Sequence, residues 1–356
     1  MKQLIQINLL LLLLAGVSGC STFDYYSQAI GGHLSLMMRG EPVERLQKQP
    51  DTPPELRQKL ELAEAARRFA RNRLDLPVGD AFTGFVELDR PWVVVNLVAV
   101  PEFSLEPHRW CYPVLGCQAY RGYFKLEQAR KEEARFRQQG YDTFIGGVTA
   151  YSTLGWFDDP LHTGFTRLSD DRMVALMFHE LAHQVVYMAE DTAFNESFAT
   201  AVELEGLRLW LEQQNSAEDF DLALLRQEHR NQTLALVEAT TAELEQLYNR
   251  QDRLTPEQLR EHKAGHLEQL AQAYARLADD YPEPGPFGAP PVQLNNANLA
   301  LFRQYNQHVP AFRQLLRELD YNFGELYRQV EQLSGQPEPK RRARLAELSH
   351  RFDEHL

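Results

Sequence analysis

The chain has 356 residues, and 50 acidic side chains against 37 Lys and Arg give a net charge of −13 at pH 7. So acidic a balance argues against nucleic acid as a partner, and against attraction to anionic lipid. With 44% hydrophobic and 10% aromatic residues the chain is globular rather than disordered, and it is long enough for a large core and two lobes.

The N-terminus reads as a targeting segment. Met1-Lys2 is followed by an apolar run from Leu9 to Val17, which is too short to span a bilayer. It ends in Val17-Ser18-Gly19-Cys20, which resembles a bacterial lipoprotein signal. That implies a signal peptide over 1–19 and a membrane anchor through acyl chains on Cys20. Ser21, where another lipoprotein would carry Asp, resembles the pattern sent to the outer membrane, so the expected location is the periplasmic face of that membrane. An ordinary secretory signal with a spare thiol is the other reading.

Residues 20–80 read as a helical segment. Tyr25, Ile30, Leu34 and Met37 recur at helical spacing, and Pro53-Pro54 opens a longer helix from Glu55 to Leu74. The period then changes. Strands are predicted over Phe82–Leu88 and Trp92–Val100, the second rich in β-branched residues. Cys111 and Cys117 are the two cysteines besides Cys20. In an exported chain such a pair is expected to form a disulfide, worth about 2 kcal/mol for so small a loop. A helix over Leu126–Gln139 stops at Gly140, and a third strand runs from Thr143 to about Leu154. It contains Gly146-Gly147, a pair that marks close backbone approach.

The chemistry lies between Asp171 and Glu203. Met173, Val174, Leu176, Met177, Phe178, Leu181, Ala182, Val185 and Val186 make the first half apolar nearly all round, the mark of a buried helix. It is predicted to end near Ala189. His179, Glu180 and His183 interrupt it, and buried polar groups without partners cost several kcal/mol. The two histidines are four apart and leave one face of the helix. Glu180 lies between them, where a general base for a water molecule is needed. A catalytic zinc takes three protein ligands and keeps a fourth position open. Glu196 is the expected third ligand. An extended run over Glu190–Asn195 is long enough to carry it back to the level of the histidines. Glu203, two turns beyond Glu196 on the same face, is a candidate to accept a proton from the far nitrogen of a ligand histidine, or else a surface carboxylate. Tyr187, past His183, is within reach of a substrate.

His179-Glu180-Leu181-Ala182-His183 with Asn195-Glu196-Ser197-Phe198-Ala199 resembles the gluzincin metallopeptidases, especially the membrane alanyl aminopeptidase type. Tyr151–Asp159, Asp191–Glu203 and Leu294–Phe312 resemble the bacterial predicted-aminopeptidase lipoprotein family, over most of the chain. The gap to the third ligand is shorter than in the alanyl aminopeptidases, and their Gly-Ala-Met-Glu-Asn motif is absent. The resemblance therefore implies metal-dependent hydrolysis first and exopeptidase specificity second. It also implies that Thr149–Thr153 is a sheet edge that binds peptide, and that Tyr151, or Tyr305 from the helical lobe, polarises the scissile carbonyl. Packed core tyrosines are the alternative for both. Asp158 and Asp159 are candidates for a substrate amine or for caps. Glu102, Glu106 and His108 belong to the same cleft or to a solvated loop.

From Phe220 to Tyr281 two leucine-rich stripes predict a helical hairpin, its second helix opened by Thr255-Pro256 and weakened by Gly265. His229, His262 and His266 are expected on polar faces. Pro282–Pro291 is a loop. Asn295, Asn296 and Asn298 suit the start of the next helix, and Lys340–Leu356 is a charged helix or tail.

The expected fold is α+β and predominantly helical: a small β-sheet packed on a gluzincin-type pair of metal helices, with a C-terminal helical lobe. The expected units are 1–19 (signal), 20–80 (helical segment), 81–212 (metallopeptidase core) and 213–356 (helical lobe). The expected cofactor is Zn2+ and the expected substrate a peptide. A zinc endopeptidase or amidase acting on envelope peptides, or a non-catalytic lipoprotein with structural zinc, are the rival functions.

Overall fold

The computed structural model describes residues 31–352 apart from 33, 113–115, 151–157, 190, 215–216 and 304–307. The expectations for the signal segment, Cys20, Tyr151 and Tyr305 lie outside the described residues. The architecture is α+β and predominantly helical.

A first small sheet joins β1 (Glu41–Pro42), β2 (Gly84–Val86) and β8 (Leu161–His162), with β2 antiparallel to β1 and parallel to β8. Between β1 and β2 lie α1 (Val43–Lys48) and α2 (Pro54–Arg73). The second sheet has β3 (Val94–Pro101) between β6 (Arg121–Tyr123) and β7 (Tyr141–Val148), all antiparallel. β7 begins two residues earlier than predicted and closes at Val148. A Cβ on Gly147 would stand 3.3 Å from Cβ and Cδ1 of Trp92, so glycine lets that indole lie against the strand. β4 (Trp110–Tyr112) and β5 (Gly116–Gln118) form a hairpin with Cys111 opposite Cys117, joined by a disulfide. α3 (Leu126–Gln138) covers the second sheet, where Ala129 packs with Val95, Leu97 and Ala99.

The largest apolar core surrounds α5 (Asp170–Ala182) and α6 (Thr192–Gln214), which follow the single turn α4 (Thr163–Thr166). α2 packs on one side, where Phe69 stacks on Phe178 at 5.8 Å between centroids. α10 (Val309–Glu318), α11 (Phe323–Ser334) and α12 (Glu338–Arg351) pack on the other, and Phe312 meets Phe194 and Phe198 edge-on. Burying one such ring contributes about 1.5–3 kcal/mol.

α7 (Ala217–Tyr248) and α8 (Pro256–Ala278) form the hairpin, and α8 opens with a capping box between Thr255 and Gln258. Gly265 does not break α8. The asparagine run at α9 (Asn296–Arg303) has two tasks. The Asn295 Oδ1 accepts from the N–H groups of Ala297 and Asn298 at 2.9 and 3.2 Å, a cap. The Asn296 side chain donates to the carbonyls of Glu102 and Ser104 at 3.1 and 2.8 Å, and Lys263 reaches Asp142 at 2.6 Å. Helical lobe and second sheet are therefore joined by buried polar bonds. His229 differs from expectation. It is buried and stacked on Tyr281, 4.2 Å between centroids, because the proline-rich loop folds back over its face of α7. Among the described residues no helix is long and apolar enough to cross a membrane.

Candidate metal centre

α5 and α6 approach closely at Gly206, where a Cβ would stand 2.8 Å from Leu74 Cδ1 and 3.0 Å from Phe178 Cδ2. This sets the two helices near enough for their side chains to share one site. His179 occupies the last turn of α5 and His183 its C-cap, with the His183 N–H still bonded to the His179 carbonyl at 3.3 Å. α5 ends at Ala182, short of the predicted Ala189. Tighter bonds from Gln184 to Leu181 and from Val185 to Ala182 close it.

The return is also different. Asp191 caps α6, its Oδ1 accepting from the Phe194 N–H at 3.0 Å, so the chain is helical from Thr192, where an extended run to Asn195 is expected, and Glu196 sits in the second turn of the expected helix. What holds the loop is Asn195. Its Oδ1 accepts from the Met188 N–H and its Nδ2 donates to the Met188 carbonyl, both at 2.8 Å. The other Asp191 oxygen accepts from Arg341 of α12 at 2.9 Å. Ser197 Oγ accepts from the His308 N–H at 2.9 Å, and Glu205 pairs with the buried Arg313 of α10 at 2.7 Å. The C-terminal helices thus buttress the helix that carries Glu196.

Three ligand-type atoms converge. His179 Nε2 and His183 Nε2 are 3.2 Å apart, and Glu196 Oε2 lies 3.3 Å from the first and 3.7 Å from the second. Tetrahedral zinc at about 2.0–2.2 Å from N and O donors requires ligand atoms about 3.3–3.5 Å apart. Two imidazoles and a carboxylate in this triangle fit a divalent metal ion, and among the described residues they form the one such cluster. Glu203 Oε2 lies 2.9 Å from His179 Nδ1. A carboxylate there fixes the proton on Nδ1 and turns the Nε2 lone pair toward the triangle.

Burial and charge act on each group. Burial alone would lower the His179 pKa, but the hydrogen bonds to Glu196 and Glu203 outweigh it and raise it well above the usual value. His183 is pushed down to about 4 by burial and by the neighbouring His179 charge. Burial opposes ionisation of Glu196, yet His179 and His183 hold its carboxyl below the usual range. Glu180 is raised to about 7, first by burial and then by the carboxylates of Glu196, Asp159 and Glu203, against the pull of His179.

Other predicted residues sort by distance. Asp159 is buried and near enough to Glu180 to raise its pKa, while Asp158 is exposed. Tyr187 is 42% exposed, bonds to the Gln118 side chain of the disulfide hairpin and feels the Glu196 charge. Glu102 binds Arg260 at 2.6 Å, His108 packs edge-on against Trp110, and His266 bonds Glu243 at 2.8 Å. These serve the fold. Two residues at the site had no sequence signal. Arg230 of α7 places its charge near Glu196, and Arg341 acts through Asp191; both look like ordinary surface arginines in a helix.

Searches of curated proteins and of solved structures return no match. The family described as "Putative aminopeptidase" matches residues 24–345, a span that includes α5, α6 and the helices after them as far as the middle of α12. The chain is therefore a member of the "Putative aminopeptidase" family.

Proposed function

We propose that the protein is a zinc-dependent aminopeptidase, held by a lipid on Cys20 at the outer membrane and facing the periplasm. The observation that carries the reading is the convergence of His179 Nε2, His183 Nε2 and Glu196 Oε2 beside a buried glutamate on the same helix. The family supports peptide hydrolysis. The Cys20 anchor and the location rest on the signal-like N-terminal sequence.

His179, His183 and Glu196 would hold the metal, which when bound supplies Lewis acidity and lowers the pKa of a water toward about 7. Glu180 lies between the two histidines on α5, where a general base for the water is needed. It takes the proton of the attacking water and delivers it to the leaving amine. Glu203 keeps His179 in the tautomer that presents Nε2. A phenol steadies the oxygen of the scissile carbonyl as charge develops on it; Tyr151 or Tyr305 is the candidate, as the family resemblance implies. Asp159, buried beside Glu180, is the candidate to hold the free amine of the substrate.

Glu180→Gln tests the mechanism. The variant should bind zinc as tightly as wild type, by metal analysis after dialysis, and lose peptide hydrolysis by at least about a hundredfold. Normal turnover by that variant excludes Glu180 as the base. N-acetylated peptides test the exopeptidase assignment, since cleavage equal to that of free-amine peptides points to an endopeptidase.

A further inference from the structure

The proline-rich loop after α8 closes over an imidazole that it does not satisfy. His229 of α7 is 2% exposed, and its ring stacks on Tyr281 at 4.2 Å and on Tyr274 at 5.9 Å between centroids. Its Nε2 is buried without a hydrogen-bond partner. Gly285 of the loop lies on that edge of the ring. A Cβ there would collide with Cε1 and Nε2 and stand 2.7 Å from the Tyr274 hydroxyl. In the neutral ring Nε2 is an uncharged atom; in the imidazolium it is a charged N–H that needs an acceptor.

The surroundings offer none. Arg226 and Arg230 of α7 and Arg172 of α5 line the same cleft as His229. Asp171 of α5 and Glu283 of the loop are both bonded to Arg226. Glu228 and Asp280 lie near Tyr281, and α8 presents the Tyr274 phenol. Among the described residues no carboxylate bonds the imidazole, and burial holds its pKa below the usual value.

The loop is pinned on both sides of Gly285. Glu283 grips Arg226 at 2.7 and 3.0 Å. Beyond the loop, the Asn295 side chain donates to the Thr143 carbonyl at 3.0 Å and the Asn296 N–H to Asp142 at 2.9 Å. Between the pins the contacts are few. The Tyr274 hydroxyl accepts from the Phe287 N–H at 3.2 Å and donates to the Gly288 carbonyl at 2.8 Å, and the Gly288 N–H bonds the Gly285 carbonyl at 2.9 Å.

We propose that residues 284–288 form an acid-operated flap: protonation of His229 lifts Gly285 from the ring and opens this wall of a cleft of about 280 Å³, while both pins hold. The closed flap favours the neutral ring. Its closure is therefore complete above the free-histidine value of about 6.5 and weakens as pH falls toward the lower value of the covered ring. Over that interval the open fraction rises by up to about tenfold per pH unit.

Hydrogen exchange on the full-length protein between pH 7.5 and 5, corrected for the intrinsic effect of pH, tests this. Protection of the Phe287 and Gly288 amides should fall by up to about tenfold per unit below pH 6.5, while the Asn296 amide and those inside α7 keep theirs. His229→Phe retains a stacking ring that cannot titrate and should make flap protection independent of pH. Gly285→Ala should open the flap at pH 7.5 and return the His229 ring resonances to a titration near 6.5. Constant protection of Phe287 and Gly288 in wild type while His229 titrates overturns the inference. So does a fall that persists in His229→Phe, or one shared by Asn296 and α7, which would be general unfolding.

Discussion

Asn195→Ala removes a side chain that touches no substrate and no metal. Its amide makes two bonds at 2.8 Å to the N–H and the carbonyl of Met188, and the residue is 4% exposed. Each such bond is worth about 0.5–1.5 kcal/mol, and more if its partner is left dry. Met188 is half-buried, so water can reach part of its backbone. A loss of about 1–2 kcal/mol is therefore expected in the metal-free protein, read by urea denaturation in the presence of a chelator. Zinc affinity should fall as well, by up to about tenfold, because the freed loop leads directly into the turn that carries Glu196. Asn195→Asp should do no better. Its carboxylate still accepts from Met188 N–H but turns an oxygen toward the Met188 carbonyl. If Asn195→Ala unfolds at the same urea concentration as wild type and keeps its zinc affinity, the loop is held by something else and the account of the return from His183 is wrong.

Glu203→Ala should weaken zinc binding by about 10- to 100-fold without unfolding the protein, as measured by competition with a chromophoric chelator; unchanged affinity would show that the 2.9 Å contact with His179 Nδ1 does not orient the ligand. His162 offers a pH test away from the metal. Burial, helped by the Arg90 charge, lowers its pKa to about 4, and its Nδ1 accepts from the Gly164 N–H at 3.1 Å. Because the folded value lies below the unfolded value of about 6.5, its contribution is complete above pH 6.5. It is lost as pH falls toward 4, by about 3 kcal/mol in all. The His162 ring resonances should stay those of a neutral imidazole down to about pH 5; a ring that titrates near 6.5 contradicts the burial argument.

The core of the site was legible because its residues violate their context. His179, Glu180 and His183 stand out on a helix with no polar face, and spacing alone puts both imidazoles on one side. Glu196 was legible by reach and by the motif around it. The end of α5 was not. Val185 and Val186 continue the apolar pattern past Ala182, and what stops the helix is tertiary: the Asn195 amide holds Met188 from seven residues away. His229 was misplaced for a similar reason, since the loop that covers it lies some fifty residues further on. Arg230 and Arg341 were invisible. An arginine among other polar residues of a helix carries no sign of what faces it across the fold, and both face carboxylates of α6 or its cap.

The charges around α5 give one reason for this arrangement. Glu180, Glu196, Glu203 and Asp159 surround two imidazoles in a space largely closed to water. Attraction between a carboxylate and a positive charge grows as water is excluded, and so does repulsion between carboxylates. The metal-free site answers with the protons at hand: one is favoured on His179, and Glu180 holds another up to about pH 7. Burial comes first for Glu180, but the carboxylates' part in both responses reports a deficit of positive charge. A divalent cation within the triangle of Nε2, Nε2 and Oε2 would fill it, and it would favour the ionised form of Glu180 by the same Coulomb attraction. The glutamate, about half ionised at pH 7 without metal, would then be more fully a carboxylate, ready to accept a proton. On the proposed function, metal binding and activation of the base would be one electrostatic event, and it would depend on Glu196 being held where Asn195, Asp191 and Arg341 hold it.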